Sequence, residues 1–158
     1  MRKTLFMGIG VPGSGKSTKL KEIARNYNYR YISADEQRLL INGSVESQAN
    51  SKQVWWSVFR LFDEACSATE VEAIVVDNTN ITFENRKKFY TIAERYLKYD
   101  WDIVLVYVNV PLELALERNS KRDRVVPEHV IRRMYENLEA PTEWERNQLG
   151  CRVIEVNK

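Results

Sequence analysis

Continuous apolar runs are the clearest pattern along this chain, and they predict β-strands. Three of them cover residues 4–9, 73–77 and 103–110, are rich in β-branched residues and are bounded by turn residues or charges. Such runs are typical of strands that are buried on both faces of a sheet. Residues 29–33 and 152–156 are weaker strand candidates. The pattern therefore predicts about five strands.

Apolar residues recur at helical spacing between these runs, and further helices are expected over 112–118 and from near Pro127. Alternating strands and helices predict a parallel sheet with right-handed crossovers and helices on both faces, which is an α/β three-layer sandwich. Ligands bind such sheets at the carboxyl ends of the strands. The helical stripes are Leu20, Ile23 and Ala24; then Val54, Val58, Leu61, Phe62 and Ala65; then Phe89, Ile92, Ala93, Tyr96 and Leu97.

Length and composition favour one globular domain over residues 1–158, since 44% of the residues are hydrophobic and 29% are charged. No apolar run approaches the roughly 20 residues that span a bilayer. We expect no cleaved leader, because its removal would destroy the glycine-rich loop beside it. Cys66 and Cys151 lie in apolar surroundings, which predicts reduced thiols in a cytoplasmic protein. His129 is the only histidine, which excludes a multi-histidine metal site.

The stretch GVPGSGKS, residues 10–17, matches G-x-x-x-x-G-K-[ST] without a mismatch. Its glycines let backbone N–H groups turn inward around a phosphate, and the following helix aims its positive N-terminus at the anion. Lys16 is expected to reach the β- and γ-phosphates, and the Ser17 hydroxyl to coordinate Mg²⁺. A flexible glycine turn is the alternative, but a strand precedes the motif and a helix follows it. The motif predicts binding of ATP and Mg²⁺ by Gly13, Ser14, Gly15, Lys16, Ser17 and Thr18.

Asp77 ends the third predicted strand, where an ionised carboxylate needs a partner. The Mg²⁺ shell, Ser17 or Lys16 would provide one, so Asp77 is a candidate metal-site residue. The alternative role is an N-cap for the next helix. Asn80 or Thr82 could serve that purpose instead.

Asp35 and Arg38 lie just beyond the second predicted strand, in ADEQR. Residues three apart on a helix share a face, so an acid and a guanidinium would point into the same crevice. The alternative is an ordinary helix start with a surface ion pair. The spacing by itself leaves both interpretations open.

A basic link, ERNSKRDR at residues 117–124, separates the last two predicted helices. Such a link can close over phosphates and neutralise charge during phosphoryl transfer. The alternative is a solvated charge run. The net charge is only +2, so a nucleic-acid partner would have to be met by a local patch such as this one. The basic residues of the link are Arg118, Lys121, Arg122 and Arg124.

Two further segments carry weaker signals. The aromatic stretch WWSVF, residues 55–59, could stack on bases, but its helical spacing favours a place in the core. Residues 140–150 are expected to approach the base of the bound nucleotide, although no motif supports this.

The ordered set PGSGKST, ADEQR, DNTN and ERNSKR…VP…VIRRMY resembles the kinase domain of polynucleotide kinases, particularly the phage type that acts on 5′-hydroxyl ends. The likeness runs from Met1 to about Glu139. It implies a P-loop NTPase sandwich of the adenylate-kinase-like kind with a basic lid. The chain departs from that pattern at Ala34, where the phage enzymes carry a basic residue, and in a slightly shorter lid loop. It also lacks the D-x-D-G-T segment of the accompanying 3′-phosphatase domain.

The resemblance implies an ATP- and Mg²⁺-dependent transfer of phosphate to the 5′-hydroxyl end of DNA or RNA. By the same likeness, Asp35 is the general base and Arg38 binds the phosphate on the 3′ side of the acceptor. Arg118 and Arg122 then form the lid over the ATP phosphates. The pocket for the terminal base is implied to be Val126, Pro127 and Val130.

Two rival hypotheses remain open. One is a P-loop kinase for a small molecule such as a sugar or nucleoside. The other is a toxin-like or regulatory P-loop protein in which nucleotide binding serves a partner interaction. Arg38 together with the basic link favours an acceptor that carries a phosphate.

Overall fold

The computed structural model describes residues 2–97 and 100–158. Strands and helices alternate along most of the chain. In chain order, the elements are β1 (Lys3–Ile9), α1 (Lys16–Ala24), β2 (Tyr29–Ile32), α2 (Ala34–Asn42), α3 (Ser51–Ser67), β3 (Ala73–Val76), α4 (Phe83–Leu97), β4 (Trp101–Val108), α5 (Leu112–Ser120), α6 (Glu128–Asn137), α7 (Glu143–Asn147) and β5 (Arg152–Val156).

The five strands form one parallel sheet in the order β2-β3-β1-β4-β5. β1 lies at the centre, with Phe6 opposite Val75 of β3 on one side and Val104 of β4 on the other. The chain leaves β1 towards one half of the sheet and later returns to the other half. Such a reversal opens a crevice at the carboxyl end of the central strand.

Two apolar layers cover the sheet, because alternate residues of each strand point to opposite faces. Leu5, Met7 and Ile9 of β1 pack with α3 and α4 on one face. Phe6 of β1 packs with α1, α5 and α6 on the other face. The sequence prediction of a five-stranded parallel sheet between two helical layers is confirmed.

The predicted elements agree with the structure apart from small shifts at their ends. The weak runs at 29–33 and 152–156 are the two edge strands β2 and β5. Tyr96 departs from its predicted apolar stripe, since it is exposed and its hydroxyl contacts Asp63. The side chain of Leu97 lies outside the described part of the chain.

The aromatic stretch at residues 55–59 divides between core and surface. Val58 is buried, and Phe59 packs against Phe89 of α4. Trp55 packs against Phe59 and also lines a cleft at the carboxyl ends of the strands. Trp56 is 65% exposed and lies beneath the guanidinium of Arg60. The preference for a core role therefore holds for Val58 and Phe59, whereas Trp55 lies between the core and the cleft and Trp56 lies at the surface.

Both cysteines are buried, free thiols, and burial raises the pKa of each to about 12. A thiol with so high a pKa forms little of the reactive thiolate near neutral pH. Across residues 2–97 and 100–158, no helix combines the length and apolar character that a membrane span needs.

Candidate active site

A cleft of about 920 Å³ opens at the carboxyl ends of β1, β2 and β3. Every site residue selected from the sequence lines it, although these residues come from segments spread over most of the chain. They are Gly13, Ser14, Gly15, Lys16, Ser17, Thr18, Asp35, Arg38, Asp77, Arg118, Arg122, Val126, Pro127 and Val130.

The loop between β1 and α1 needs glycine at two positions. Gly13 and Gly15 have φ values of 84° and 94°, a region that other residues adopt only with strain. A Cβ atom on Gly13 would also lie 2.5 Å from the carbonyl oxygen of Ala115 in α5. Gly15 is the N-cap of α1, so the loop delivers the free N–H groups of the first helical turn to the cleft. This arrangement suits an anion.

Two polar side-chain atoms in the cleft wall have unsatisfied hydrogen-bonding capacity. Ser14 Oγ and Asn78 Nδ2 are buried and have no hydrogen-bond partner among the residues that the structure describes. Buried polar atoms without partners are uncommon in native proteins. Their position in the wall indicates that a bound polar molecule completes their hydrogen bonds.

Lys16, Asp77 and Tyr31 form a compact group where β1, β2 and β3 end. Lys16 Nζ lies 3.5 Å from Asp77 Oδ1, and both side chains are largely buried. The Tyr31 hydroxyl donates a hydrogen bond to Asp77 Oδ2. Burial and this bond raise the pKa of Tyr31, while a hydrogen bond with Ser17 acts in the opposite direction. Ser17 and Asp77 therefore meet at the same phenol oxygen.

The alternative role for Asp77, as the N-cap of the next helix, does not occur. Thr82 precedes α4, and its Oγ1 accepts the backbone N–H of Asn85. The side chain of Asn80 instead donates to the carbonyl oxygen of Gly8 in β1. Asp77 is left to face the cleft.

Mg²⁺ fits this part of the cleft. Hydroxyl and carboxylate oxygens are the ligands that Mg²⁺ prefers, and the ion usually takes its other ligands from water and phosphate. Ser17 and Asp77 line the cleft and would supply one oxygen ligand of each kind. No cluster of three or more acidic, cysteine or histidine side chains that could hold a metal occurs within residues 2–97 and 100–158. A magnesium ion would thus depend on phosphate oxygens as well as on these two residues.

Asp35 and Arg38 occupy the first turns of α2, and they contact each other as the helical spacing predicts. Arg38 Nη1 donates to Asp35 Oδ1 at 2.7 Å. Two side chains cap the N-terminus of α2: Ser33 Oγ accepts a hydrogen bond from the N–H of Glu36, and Asn78 Oδ1 accepts one from the N–H of Ala34. The second of these bonds ties the end of β2 to the end of β3, so Asp35 is held beside Asp77's strand.

Arg124 reaches Asp35 from the opposite side of the cleft. Its Nη1 donates to Asp35 Oδ2 at 3.1 Å. The sequence identifies Arg124 as part of the basic link but contains no sign of its contact with Asp35. The two residues are 89 positions apart in the chain, so no local sequence pattern predicts that they contact each other.

The basic link covers the glycine-rich loop. Arg118 Nη1 donates to the carbonyl oxygen of Ser14 at 2.9 Å. The side chain of Asn119 bonds both backbone groups of Val126, its Nδ2 to the carbonyl and its Oδ1 to the N–H, and so closes the link into a loop. Arg122 is exposed at the edge of the cleft. His129, to which the sequence assigns no role, is also exposed.

The segment 140–150 is anchored by a buried ion pair that was not predicted from the sequence. Arg86 of α4 and Glu145 of α7 are both fully buried, with Arg86 Nε 2.9 Å from Glu145 Oε2. Arg86 shares the inward helical spacing of Phe89, Tyr90 and Ala93. That periodicity is the signal that could have revealed it.

A family model described as an AAA domain matches residues 5–141. The chain belongs to this family. The AAA-domain match contains the glycine-rich loop, Asp35, Asp77 and the basic link. A curated relative, L-seryl-tRNA(Sec) kinase of Methanococcus maripaludis, is 35% identical over 144 residues, which make up 87% of this chain and 53% of the relative. The chain thus spans about half the length of that protein.

Solved structures show the same fold at low sequence identity. The Pnkp1/Rnl/Hen1 RNA repair complex aligns with a TM-score of 0.72 and 19% identity, over 87% of this chain and 44% of the matched chain. A gluconokinase from Sinorhizobium meliloti aligns with a TM-score of 0.61 and 20% identity, over 99% of this chain and 83% of that chain. This member of the AAA-domain family therefore has a P-loop kinase fold of the adenylate-kinase-like kind.

Proposed function

We propose that this chain transfers the γ-phosphate of ATP to the 5′-hydroxyl end of DNA or RNA. The observation that carries the proposal is the placement of the Asp35–Arg38 pair in the same cleft as Lys16, Ser17 and Asp77. One wall offers donors for a triphosphate. The other offers a carboxylate for a hydroxyl and a guanidinium for a phosphate of the acceptor.

The donor half comprises the glycine-rich loop and the lysine that follows it. Backbone N–H groups from Gly13 to Thr18 surround the β-phosphate, and Lys16 reaches the β- and γ-phosphates. Ser17 and Asp77 would hold Mg²⁺, which neutralises phosphate charge and orients the triphosphate. Lys16 is already held in place by its ion pair with Asp77.

The acceptor half comprises Asp35, Arg38 and the apolar wall of Val126, Pro127 and Val130. Asp35 orients the acceptor hydroxyl and takes its proton as the oxygen attacks the γ-phosphorus. The bond from that phosphorus to the bridging oxygen of ADP breaks, and ADP leaves. Arg38 binds the phosphate on the 3′ side of the acceptor nucleoside. The apolar wall takes the terminal base.

Arg118 and Arg122 act on the donor side as the lid. Arg118 already spans to the loop carbonyl of Ser14, which puts its charge beside the bound phosphates. Arg122 is exposed and lines the cleft, so it can turn towards the γ-phosphate. The guanidinium groups of Arg118 and Arg122 would then stabilise the negative charge that develops on the transferred phosphoryl group.

A second candidate acceptor is a hydroxyl on an aminoacylated RNA. The relative from Methanococcus maripaludis is named as a kinase of L-seryl-tRNA(Sec), and its identity of 35% over 144 residues favours this candidate. An aminoacylated RNA also carries phosphate near the reacting hydroxyl. Arg38 would therefore serve either acceptor, and substrate comparison has to distinguish them.

The test is transfer of label from γ-labelled ATP with Mg²⁺ to a panel of acceptors. The panel contains 5′-hydroxyl DNA and RNA oligonucleotides, the same oligonucleotides with a 5′-phosphate, seryl-tRNA, nucleosides and gluconate. We expect label only on the 5′-hydroxyl oligonucleotides and, more weakly, on nucleosides. Labelling of seryl-tRNA alone would favour the second candidate. Labelling of gluconate or of nucleosides far above oligonucleotides would contradict both.

A further inference from the structure

The carboxylate of Asp35 lies between two guanidinium groups. Arg38 Nη1 donates to Oδ1 from one turn further along α2, and Arg124 Nη1 donates to Oδ2 from the link between α5 and α6. Both arginine side chains are mostly buried, with exposed fractions of 18% and 26%, whereas Asp35 is 46% exposed. Two elements that are distant in sequence thus place arginines on either side of one acid.

The charges in this group do not balance. One carboxylate faces two guanidinium groups, and each guanidinium carries five N–H donors. Within the described part of the chain, the side chains of Arg38 and Arg124 make no other hydrogen bond or ion pair. Both line the cleft. One net positive charge and several unused donors therefore face the space in which the acceptor would lie, which favours an anionic group there.

We propose that Arg124 is a specificity-determining residue that binds the acceptor phosphate together with Arg38, one guanidinium on each side of Asp35. This inference rests on the proposed function and extends it: the preferred substrate carries a phosphate close to the hydroxyl that is phosphorylated. Arg124 thereby differs from Arg118, which contacts the glycine-rich loop of the donor half. The basic link therefore uses Arg118 to contact the phosphate-donor half of the cleft and Arg124 to contact the acceptor half.

The kinetic test compares a nucleoside with the same nucleoside carrying a 3′-phosphate, for the parent, Arg124→Ala, Arg38→Ala and the double variant. We expect Arg124→Ala to lower kcat/KM for the phosphorylated acceptor about 10- to 100-fold more than for the nucleoside, as for loss of a charged hydrogen bond. Arg124→Lys, which keeps the charge without the planar fork, should recover part of the loss. Lys121→Ala is the matched control, because Lys121 is exposed on the same link and pairs with Glu117.

Equal losses for both acceptors would overturn the inference, because Arg124 would then act only on Asp35 or on the donor. An unchanged preference would overturn it as well. Thermal melting of each variant without ligand detects a folding defect. If Arg124→Ala does not fold, the same comparison of the two acceptors is made with Arg124→Lys.

A binding measurement separates this inference from the proposed function. Nucleoside 3′-phosphate alone, without ATP, should raise the melting temperature of the parent more than that of Arg124→Ala. If this difference appears while the parent phosphorylates no 5′-hydroxyl, the proposed function fails and the phosphate site stands. If the parent phosphorylates 5′-hydroxyl ends and the difference is missing, the proposed function stands and the role of Arg124 is refuted.

Discussion

Replacement of Glu145 by alanine tests how much the buried ion pair between α4 and α7 contributes to the stability of the fold. The Glu145 carboxylate accepts hydrogen bonds from Arg86 Nε and Nη2, from the Tyr90 hydroxyl, and from the N–H and hydroxyl of Thr142. Arg86 also donates to three backbone carbonyl groups of the segments that adjoin α4 and α7. The pair therefore joins α4 to residues 139–145.

The expected loss of stability is large because Glu145→Ala leaves the Arg86 guanidinium buried without a counter-charge. Breaking a buried ion pair from one side costs about 3–5 kcal/mol. For a chain of this size, 1 kcal/mol corresponds to a change of about 2–4 °C in melting temperature. We therefore expect melting to fall by about 6–20 °C. Arg86→Met should be about as harmful, since it strands both the carboxylate and three carbonyl groups.

The assay is urea unfolding followed by circular dichroism, with thermal melting alongside. The matched control is Glu64→Ala, which removes the exposed partner of Arg60 on α3 and should cost less than about 1 kcal/mol, as surface pairs do. A loss in Glu145→Ala no larger than in Glu64→Ala would refute the reasoning. So would strict additivity of Glu145→Ala and Arg86→Met in the double variant, because groups in direct contact should be coupled.

Three further predictions concern the pH dependence of the Glu145 contacts and the roles of Lys16 and Arg122 in the cleft. Burial raises the pKa of Glu145, but the hydrogen bonds from Arg86, Thr142 and Tyr90 outweigh this effect and hold the pKa below its usual value. The extra stability of the parent over Glu145→Gln should therefore be complete above about pH 4.5 and should decrease as the pH falls further. Urea unfolding of both proteins at pH 7 and pH 3.5 measures this difference. Lys16→Ala should lose most of the stabilisation by Mg²⁺-ATP, which for the parent is about 2.7 kcal/mol at 100 times the dissociation constant, and an equal ligand-induced shift in melting temperature for both proteins would contradict this. Arg122→Ala should slow turnover about 100- to 1000-fold for every acceptor alike, whereas a loss confined to one acceptor in steady-state assays would move Arg122 to the acceptor half.

Much of the fold and the donor half could be predicted from sequence because their signals are local. A strand buried on both faces is continuously apolar over a few residues, as in β3 and β4. The glycine-rich motif is contiguous, and its left-handed positions at Gly13 and Gly15 are needed by the turn itself. The order of strand and helix then places Asp35 and Asp77 at the same edge of the sheet.

The contacts that escaped prediction depend on the register of strands or on distant segments. Tyr31 reaches Asp77 because β2 and β3 pair with Tyr31 opposite Val75, a register that no local pattern sets. Arg86 lies among Asn85, Lys87 and Lys88, so it resembles part of a solvated charge run, yet its helical phase turns it into the core. Arg124 meets Asp35 only through the packing of the link over the cleft.

The most direct test of the proposed activity is labelling of a 5′-hydroxyl oligonucleotide by Asp35→Asn, measured beside its affinity for ATP. Asparagine keeps the size of the side chain but cannot accept a proton from the hydroxyl at neutral pH. We predict that the parent labels the oligonucleotide, and that Asp35→Asn binds ATP with unchanged affinity and transfers almost none of its γ-phosphate. Normal labelling by Asp35→Asn, or no labelling of a 5′-hydroxyl end by the parent, would contradict the assignment of this cleft to polynucleotide phosphorylation.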